Sequence, residues 1–368
     1  MNRDPIFLRV DATPQSGYER LARCLTIAAA LQRRRRPVYF LSNLEPASLA
    51  LTIKRGGNDW IPMHNRLGEP ADQAQVLQAI NKLGPAAVIV DDPDVKRPYL
   101  QDLVGAGAFV VSLDHQGTVR LPSHVVVNPL LGPSRDSFEF MPYAQLLMGK
   151  RYAMVRPEIR RHRQTRSQEP AALMAANTKG PGTLYRALVA LGEDDPNLQT
   201  LNLSKMMLGA PRIGKVDAIV RREHPQMDAL KALAEENPER FEVAVESAEI
   251  TARLVRCHFA ITSGSGWSLE LACIGLPQLV LVQNEAHWPN TQRLEDEGAI
   301  SILGWHENTS AQTIRNAVQG LLADPAERQS MSRYGRKLID GRGPDRFVNA
   351  VEIMLAGGAR HEALEQAA

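Results

Sequence analysis

Short apolar runs alternate with longer stretches of helical spacing along almost the whole chain. "IFLRV" at 6–10 has the length and continuity of a buried strand. The following "YERLARCLTIAAALQRR" sets Leu21, Leu25, Ala28 and Ala29 at helical spacing. "PVYFLS" (37–42), "AAVIVDD" (86–92) and "AFVVSLDH" (108–115) repeat the strand pattern, with amphipathic stretches between them. From about 130 to 170 Pro, Gly and Arg break the rhythm, and a crossing between domains is expected there. A second series starts at "AALMA" (171–175) and continues through "LQTLNL", "VDAIV", "FEVAV", "HFAITSGSG", "PQLVLV" and "ISILG". Three helical segments close the chain at about 309–323, 325–339 and 344–357, with the last ten residues read as a frayed tail. No internal repeat of short period is visible.

Such alternation predicts the α/β class: parallel sheets covered by helices, in two domains of similar size with a cleft between them. The expected boundaries are a first domain at 1–150, a crossing at 151–168, a second domain at 169–343, a terminal helix at 344–358 and a tail at 359–368. Ligands of parallel sheets bind beyond the carboxyl ends of the strands. That draws attention to Asp11, Asp91, Asp92, Asp114 and His115, each placed where a strand finishes.

The stretch "ITSGSGWSLELACIGLP" (261–277) runs from a strand through four small residues into a helix that stops at Gly275-Leu276-Pro277. Such a turn presents free backbone N–H groups at the positive end of a helix dipole, which suits a phosphate or diphosphate. Gly264 and Gly266 would let the anion approach, Ser263, Ser265 or Ser268 would add hydroxyl donors, and Glu270 would sit slightly deeper. A plain tight turn with Glu270 as a first-turn carboxylate fits the same letters, and the spacing is neither the dinucleotide nor the P-loop fingerprint.

Composition narrows the choices. With 368 residues there is room for two cores, and 44% hydrophobic with 23% charged residues is ordinary for a globular protein. A net charge of +2 gives no general reason to expect nucleic acid or membrane. "RRRR" (33–36) is expected to close a helix, and "RRHRQTR" (160–166), which has no interleaved aromatics, to be a solvated linker face. Cys24, Cys257 and Cys273 are scattered without C-x-x-C spacing, so buried thiols are expected rather than zinc. No apolar run approaches the roughly 20 residues that span a bilayer, and "MNRDPIFLRVDA" lacks a signal-peptide layout. A cytoplasmic protein is expected.

Taken in order, several motifs resemble the UDP-sugar hydrolase family of pseudaminic acid biosynthesis and the related spore-coat polysaccharide proteins, within the GT-B-type enzymes. The carriers are "LRVDATPQSGYERLARCLTIAAAL", "NPLLG" followed by "LLMGKRYAMVRPEI", "TSGSGWSLELACIGLP" and "NEAHWPNTQRLEDEGA", covering about residues 5–305. The resemblance implies a GT-B-like architecture: two Rossmann-like domains facing each other across a cleft. It implies diphosphate contacts from Ser263, Gly264, Ser265, Gly266 and Ser268, and a uridine ribose held by Glu270. His287 and Asn290 fall in the segment near the sugar. No cofactor and no metal are implied, so "DDPD" (91–94) reads as strand-end acids before a turn.

Departures from the family pattern matter equally. The family's water-activating His falls on Arg20, which stays protonated and cannot act as a general base near neutrality. Its Gly-Gly-x-Asp is replaced by "MAANTKGPG" with Lys179, and its Asn-Gln pair falls near Ala286-His287. Arg20 could instead clamp an anion. Asp11, Asp114, His115 and His287 are then the candidates for proton transfer, with Arg20, Asp11 and His115 taken as the catalytic set. The resulting expectation is cleavage of a UDP-amino sugar by transfer to water, in surface-polysaccharide or nonulosonic acid biosynthesis. Its alternatives are glycosyl transfer to another acceptor and a silent nucleotide-sugar binder.

Overall fold

The computed structural model describes residues 3–113, 121–132, 134–138, 143–168, 184–192, 195, 197–245 and 250–365. The chain divides into two compact units, the first comprising 1–154 and 342–368 and the second 155–341.

In the first unit the elements run β1 (Ile6–Arg9), α1 (Glu19–Gln32), β2 (Val38–Ser42), α2 (Leu49–Arg55), β3 (Asp59–Pro62), α3 (Pro70–Leu83), β4 (Ala87–Asp91), α4 (Arg97–Gly105), β5 (Val110–Leu113), β6 (Val125–Asn128) and β7 (Gln145–Met148). The strands form one sheet in the order β3-β2-β1-β4-β5-β6-β7, with every described pairing parallel. β1, β4, β5 and β6 are buried throughout, as near-continuous apolar runs in a doubly covered sheet should be.

The second unit contains α5 (Pro157–Gln168), β8 (Tyr185–Ala190), α6 (Gln199–Leu208), β9 (Ile213–Val220), α7 (Met227–Glu236), β10 (Phe241–Val245), α8 (Thr251–Arg256), β11 (Phe259–Thr262), α9 (Gly266–Ile274), β12 (Gln278–Val282), α10 (Trp288–Asp296), β13 (Ser301–Trp305), α11 (Ala311–Ala323) and α12 (Pro325–Leu338). Its sheet order is β10-β9-β8-β11-β12-β13, again with every described pairing parallel. α13 (Gly343–Glu365) then returns to the first unit, where Phe347, Val348 and Val351 share a core with Leu21, Ile27, Ala28 and Leu31 of α1.

Each sheet therefore reverses its direction of growth once, between β1 and β4 in the first unit and between β8 and β11 in the second. These are the topological switch points at which parallel sheets open a crevice beyond their carboxyl ends.

Of the two basic runs, the first closes α1 as expected and the second differs. Arg33 is the residue that caps the end of α1, and the arginine side chains also fasten α13: Arg33 donates to Asp345 at 2.5 Å, Arg34 to Asn349 at 3.3 Å and Arg36 to Glu352 at 3.0 Å. The segment "RRHRQTR" is not a solvated linker but lies in α5, packed on α8 and α9. Arg163 donates to the carbonyls of Cys273 (3.1 Å) and Ile339 (2.6 Å), and Arg166 to those of Val255 and Cys257 (both 2.8 Å). These are carbonyls that helix ends leave without intrahelical partners, so the two side chains close α8, α9 and α12. Burial lowers the Arg166 pKa to about 10, which still leaves the guanidinium charged at neutral pH.

The three cysteines are buried and free. Among the described residues no helix is long and apolar enough to cross a membrane.

Candidate functional site

α9 is buried along nearly its whole length because its sequence is apolar on every side, so its N-terminus is fixed rigidly at the end of β11. Ser265 is the extended residue that starts the helix, and its side chain makes no capping bond. Ser268 N donates back to the Ser265 carbonyl at 2.9 Å, and helix geometry leaves the amides of Gly266 and Trp267 without intrahelical partners. The two glycines answer different demands. Gly264 has φ +85°, and a Cβ there would lie 2.0 Å from Thr291 Oγ1, so packing against α10 requires this glycine. A Cβ on Gly266 would meet nothing within 4 Å among the described residues, so among them that face of the helix start is open.

Of the three serines, Ser263 donates to the carbonyl of Leu191 at 2.9 Å, fastening the turn to the end of β8. Ser268 faces inward as well, 3.2 Å from Thr262 Oγ1, while the Gln278 side chain donates to the Ser268 carbonyl at 3.0 Å. Ser265 Oγ is buried and has no partner among the described residues, and the same holds for Thr291 Oγ1. An unsatisfied buried hydroxyl costs about 1–3 kcal/mol, so two of them at one anion-suited turn mark a place that a ligand's oxygens would complete. Asn290 donates to the carbonyl of Gly264 at 3.0 Å and thereby holds the turn's shape. His287 is half-buried at the start of α10.

Glu270 is 6% exposed, and its acceptor positions are taken. Oε1 accepts from Arg156 N at 2.8 Å and Nε at 3.0 Å, and Oε2 from Nε at 2.9 Å and Nη2 at 2.5 Å. A carboxylate offers about four lone-pair sites, so the diol-accepting capacity read into Glu270 is already used. The Arg156 guanidinium lies 4.4 Å from the centre of the Trp267 ring, which keeps it beside the helix start.

The switch point of the first unit is built from charges. Arg9, fully buried in β1, donates through Nε to Asp72 at 2.9 Å and through Nη1 and Nη2 to Asp11. Asp11 also accepts from the amides of Asn43 (3.0 Å) and Leu67 (2.8 Å). With both oxygens engaged, Asp11 is an anchor for two loops and has no lone pair left for a substrate proton. Arg23 grips Asp91 through two bonds of 2.8 and 2.6 Å. Arg20 sits in the first turn of α1 with Nη1 3.3 Å from Asp92 Oδ2. Burial pushes the Asp92 pKa up, against the lowering from the Asp94 amide bond and Arg20. Asp114, His115 and Lys179 lie outside the described residues.

The structure thus brings Ser263, Gly264, Ser265, Gly266, Ser268, Glu270 and Asn290 together in the second unit, and Asp11, Arg20 and Asp92 at one sheet edge in the first. Sequence reasoning missed Thr291, Arg156 and Arg9. Only Arg9 carried a signal, being a charge inside the otherwise apolar "IFLRV".

No protein-family model matches the chain. Over 224 residues it is 22% identical to the spore coat polysaccharide biosynthesis protein SpsG of Bacillus subtilis (strain 168), a match spanning 60% of this chain and 62% of that protein. Among solved structures it is similar to MurG of Acinetobacter baumannii (TM-score 0.63, 14% identity, 95% of this chain and 99% of that one). It is similar also to the spinosyn forosaminyltransferase SpnP (TM-score 0.64, 15% identity, 96% and 99%). A third is the spinosyn rhamnosyltransferase SpnG complexed with thymidine diphosphate (TM-score 0.61, 16% identity, 95% and 100%). The fold is that of the GT-B glycosyltransferases, with two parallel-sheet α/β domains.

Proposed function

We propose that this chain transfers a sugar from a nucleoside-diphosphate donor to an acceptor other than water, in the assembly of a polysaccharide. The observation that carries the reading is the start of α9, which follows β11 at a switch point: among the described residues nothing stands within 4 Å of a Cβ on Gly266, the buried hydroxyl of Ser265 has no partner, and helix geometry leaves the Gly266 and Trp267 amides without intrahelical partners. The donor's diphosphate rests there, and the helix dipole stabilises the charge that grows on it as the anomeric C–O bond breaks. Asn290 keeps the turn in shape. Glu270 holds Arg156 against Trp267, so a pentose reaches that carboxylate only where Arg156 gives it up.

Transfer is favoured over hydrolysis by Arg20, a permanent cation in the place where a water-activating histidine was expected. The likeness to a spore-coat polysaccharide protein and the glycosyltransferase names of the structural neighbours support the same choice. A panel of UDP- and dTDP-sugars incubated with the purified chain tests it. Diphosphate release that requires an added sugar or alcohol acceptor is the expected result. Release in buffer alone would establish hydrolysis, and tight binding without release under either condition would establish a silent binder.

A further inference from the structure

We propose that Glu270 is a positioning residue that presents the Arg156 guanidinium to the donor's diphosphate, so that the site selects donors by that group and takes ribo- and deoxyribonucleoside forms alike. The assignment rests on the donor reading above and changes what the carboxylate does in it.

α9 spans nine residues. Gly266 and Glu270 stand four positions apart on one side of it, with Trp267 three positions before Glu270 beside them. Helical side chains lean toward the N-terminus, so the Glu270 carboxylate reaches back over the first turn. What it holds there is Arg156, through the main-chain amide at 2.8 Å, Nε at 3.0 and 2.9 Å and Nη2 at 2.5 Å. The Trp267 ring, 4.4 Å from the guanidinium carbon, supports the cation from the same turn. Arg156 also leads directly into α5, which packs on α9, so its backbone is fixed as firmly as its side chain. Of the pair, Arg156 is the outer member, with 15% of its side chain exposed against 8% for Glu270.

Three kinds of donor therefore stand at the helix start, all within the second unit. They are the amides of Gly266 and Trp267, the buried Ser265 hydroxyl and the Arg156 charge. Amides and a hydroxyl accept any oxyanion. A permanent cation adds an attraction that grows with the ligand's charge, and so prefers a diphosphate to a monophosphate. A pentose diol has no such claim on the carboxylate. To admit it, Glu270 would first have to release a mostly buried guanidinium, which costs more than two neutral hydroxyls return.

Calorimetry on the full chain tests this with UDP, 2′,3′-dideoxy-UDP and UMP, and with the thymidine series alongside. The unsubstituted chain is expected to bind UDP and 2′,3′-dideoxy-UDP within about fivefold of each other, whereas a diol bonded to a carboxylate would separate them further. Arg156→Met and Glu270→Ala are each expected to weaken both diphosphates by at least about fivefold and to narrow the gap between UDP and UMP. Arg156→Lys, which keeps a cation without the fork, is expected to recover part of that gap. A wider preference for UDP over its dideoxy form overturns the assignment while leaving the donor reading intact. So does a loss in Glu270→Ala confined to UDP, or a gap between UDP and UMP that Arg156→Met does not move. The comparison of UDP with its dideoxy form needs no substitution and decides even where a variant fails to fold. Absence of any diphosphate binding to the unsubstituted chain overturns the donor reading, and this assignment with it.

Discussion

The two switch points share a topology and differ in what lines them. At β1/β4 the sheet edge carries Arg9, Arg20, Arg23, Asp11, Asp91 and Asp92, most of them locked in mutual pairs. At β8/β11 it carries serines, glycines and helix amides, with the ion pair Arg156–Glu270 set beside the helix start. Charges pinned to charges can position a proton acceptor but leave little room for an anion. Small residues over a helix N-terminus do the reverse. One topology thus supplies two kinds of chemistry through the size and charge of a few residues after each strand.

The largest expected break in this comparison is Arg9→Met. It leaves Asp11 and Asp72 buried without their cation, and a loss of about 3–5 kcal/mol in urea unfolding is expected. Hydrogen exchange should localise that loss to the first unit. Next comes Gly264→Ala, which forces a left-handed backbone and a collision with Thr291. About 2–3 kcal/mol should be lost, along with diphosphate affinity. Gly266→Ala sharpens the same point: stability should stay within about 0.5 kcal/mol while affinity by calorimetry falls. Affinity untouched at Gly266 would remove the anion from this turn.

Arg156→Met, which breaks a less buried network, should cost about 1–2 kcal/mol in urea unfolding. The smallest effect expected is an acid slope. Asp195, though burial pushes its pKa up, is held below the ordinary 3.8 by its bonds to His224, Thr200 and Gln199. The unfolded chain therefore binds more protons as the pH falls below about 4, so the contribution of Asp195 is complete above that value and is lost through its lower folded one. Asp195→Asn should flatten the decline of urea midpoints there. Asp72 and Asp92 work in the opposite direction: burial raises both, so their contribution is present below 3.8 and lost as pH rises through the folded values.

Strands with continuous apolar runs, such as β1, β4 and β11, were legible because burial on both faces leaves a plain pattern. β3 was not, since "DWIP" at the sheet edge is short and partly exposed. β6 and β7 fell beside or within a stretch read as a crossing, because prolines and glycines around them mask four-residue strands. α5 was missed for another reason. Long arginine stems cover apolar surface while their heads find carbonyls, and no count of charges reveals that. The Ser-Gly turn was visible as spacing, yet its completion by Thr291 and by Arg156 depends on contacts between distant segments that no local pattern encodes.

The return of α13 gives the molecule an order of completion. Every residue from 155 to 341 belongs to the second unit, yet Phe347, Val348 and Val351 finish the core of the first. During synthesis α1 can pack early on the strands of its own sheet, but the part of its core that Phe347, Val348 and Val351 complete stays open until the whole second unit has left the ribosome. The half that is begun first is sealed last, and a stop codon anywhere before residue 343 leaves that half open while the other can still close.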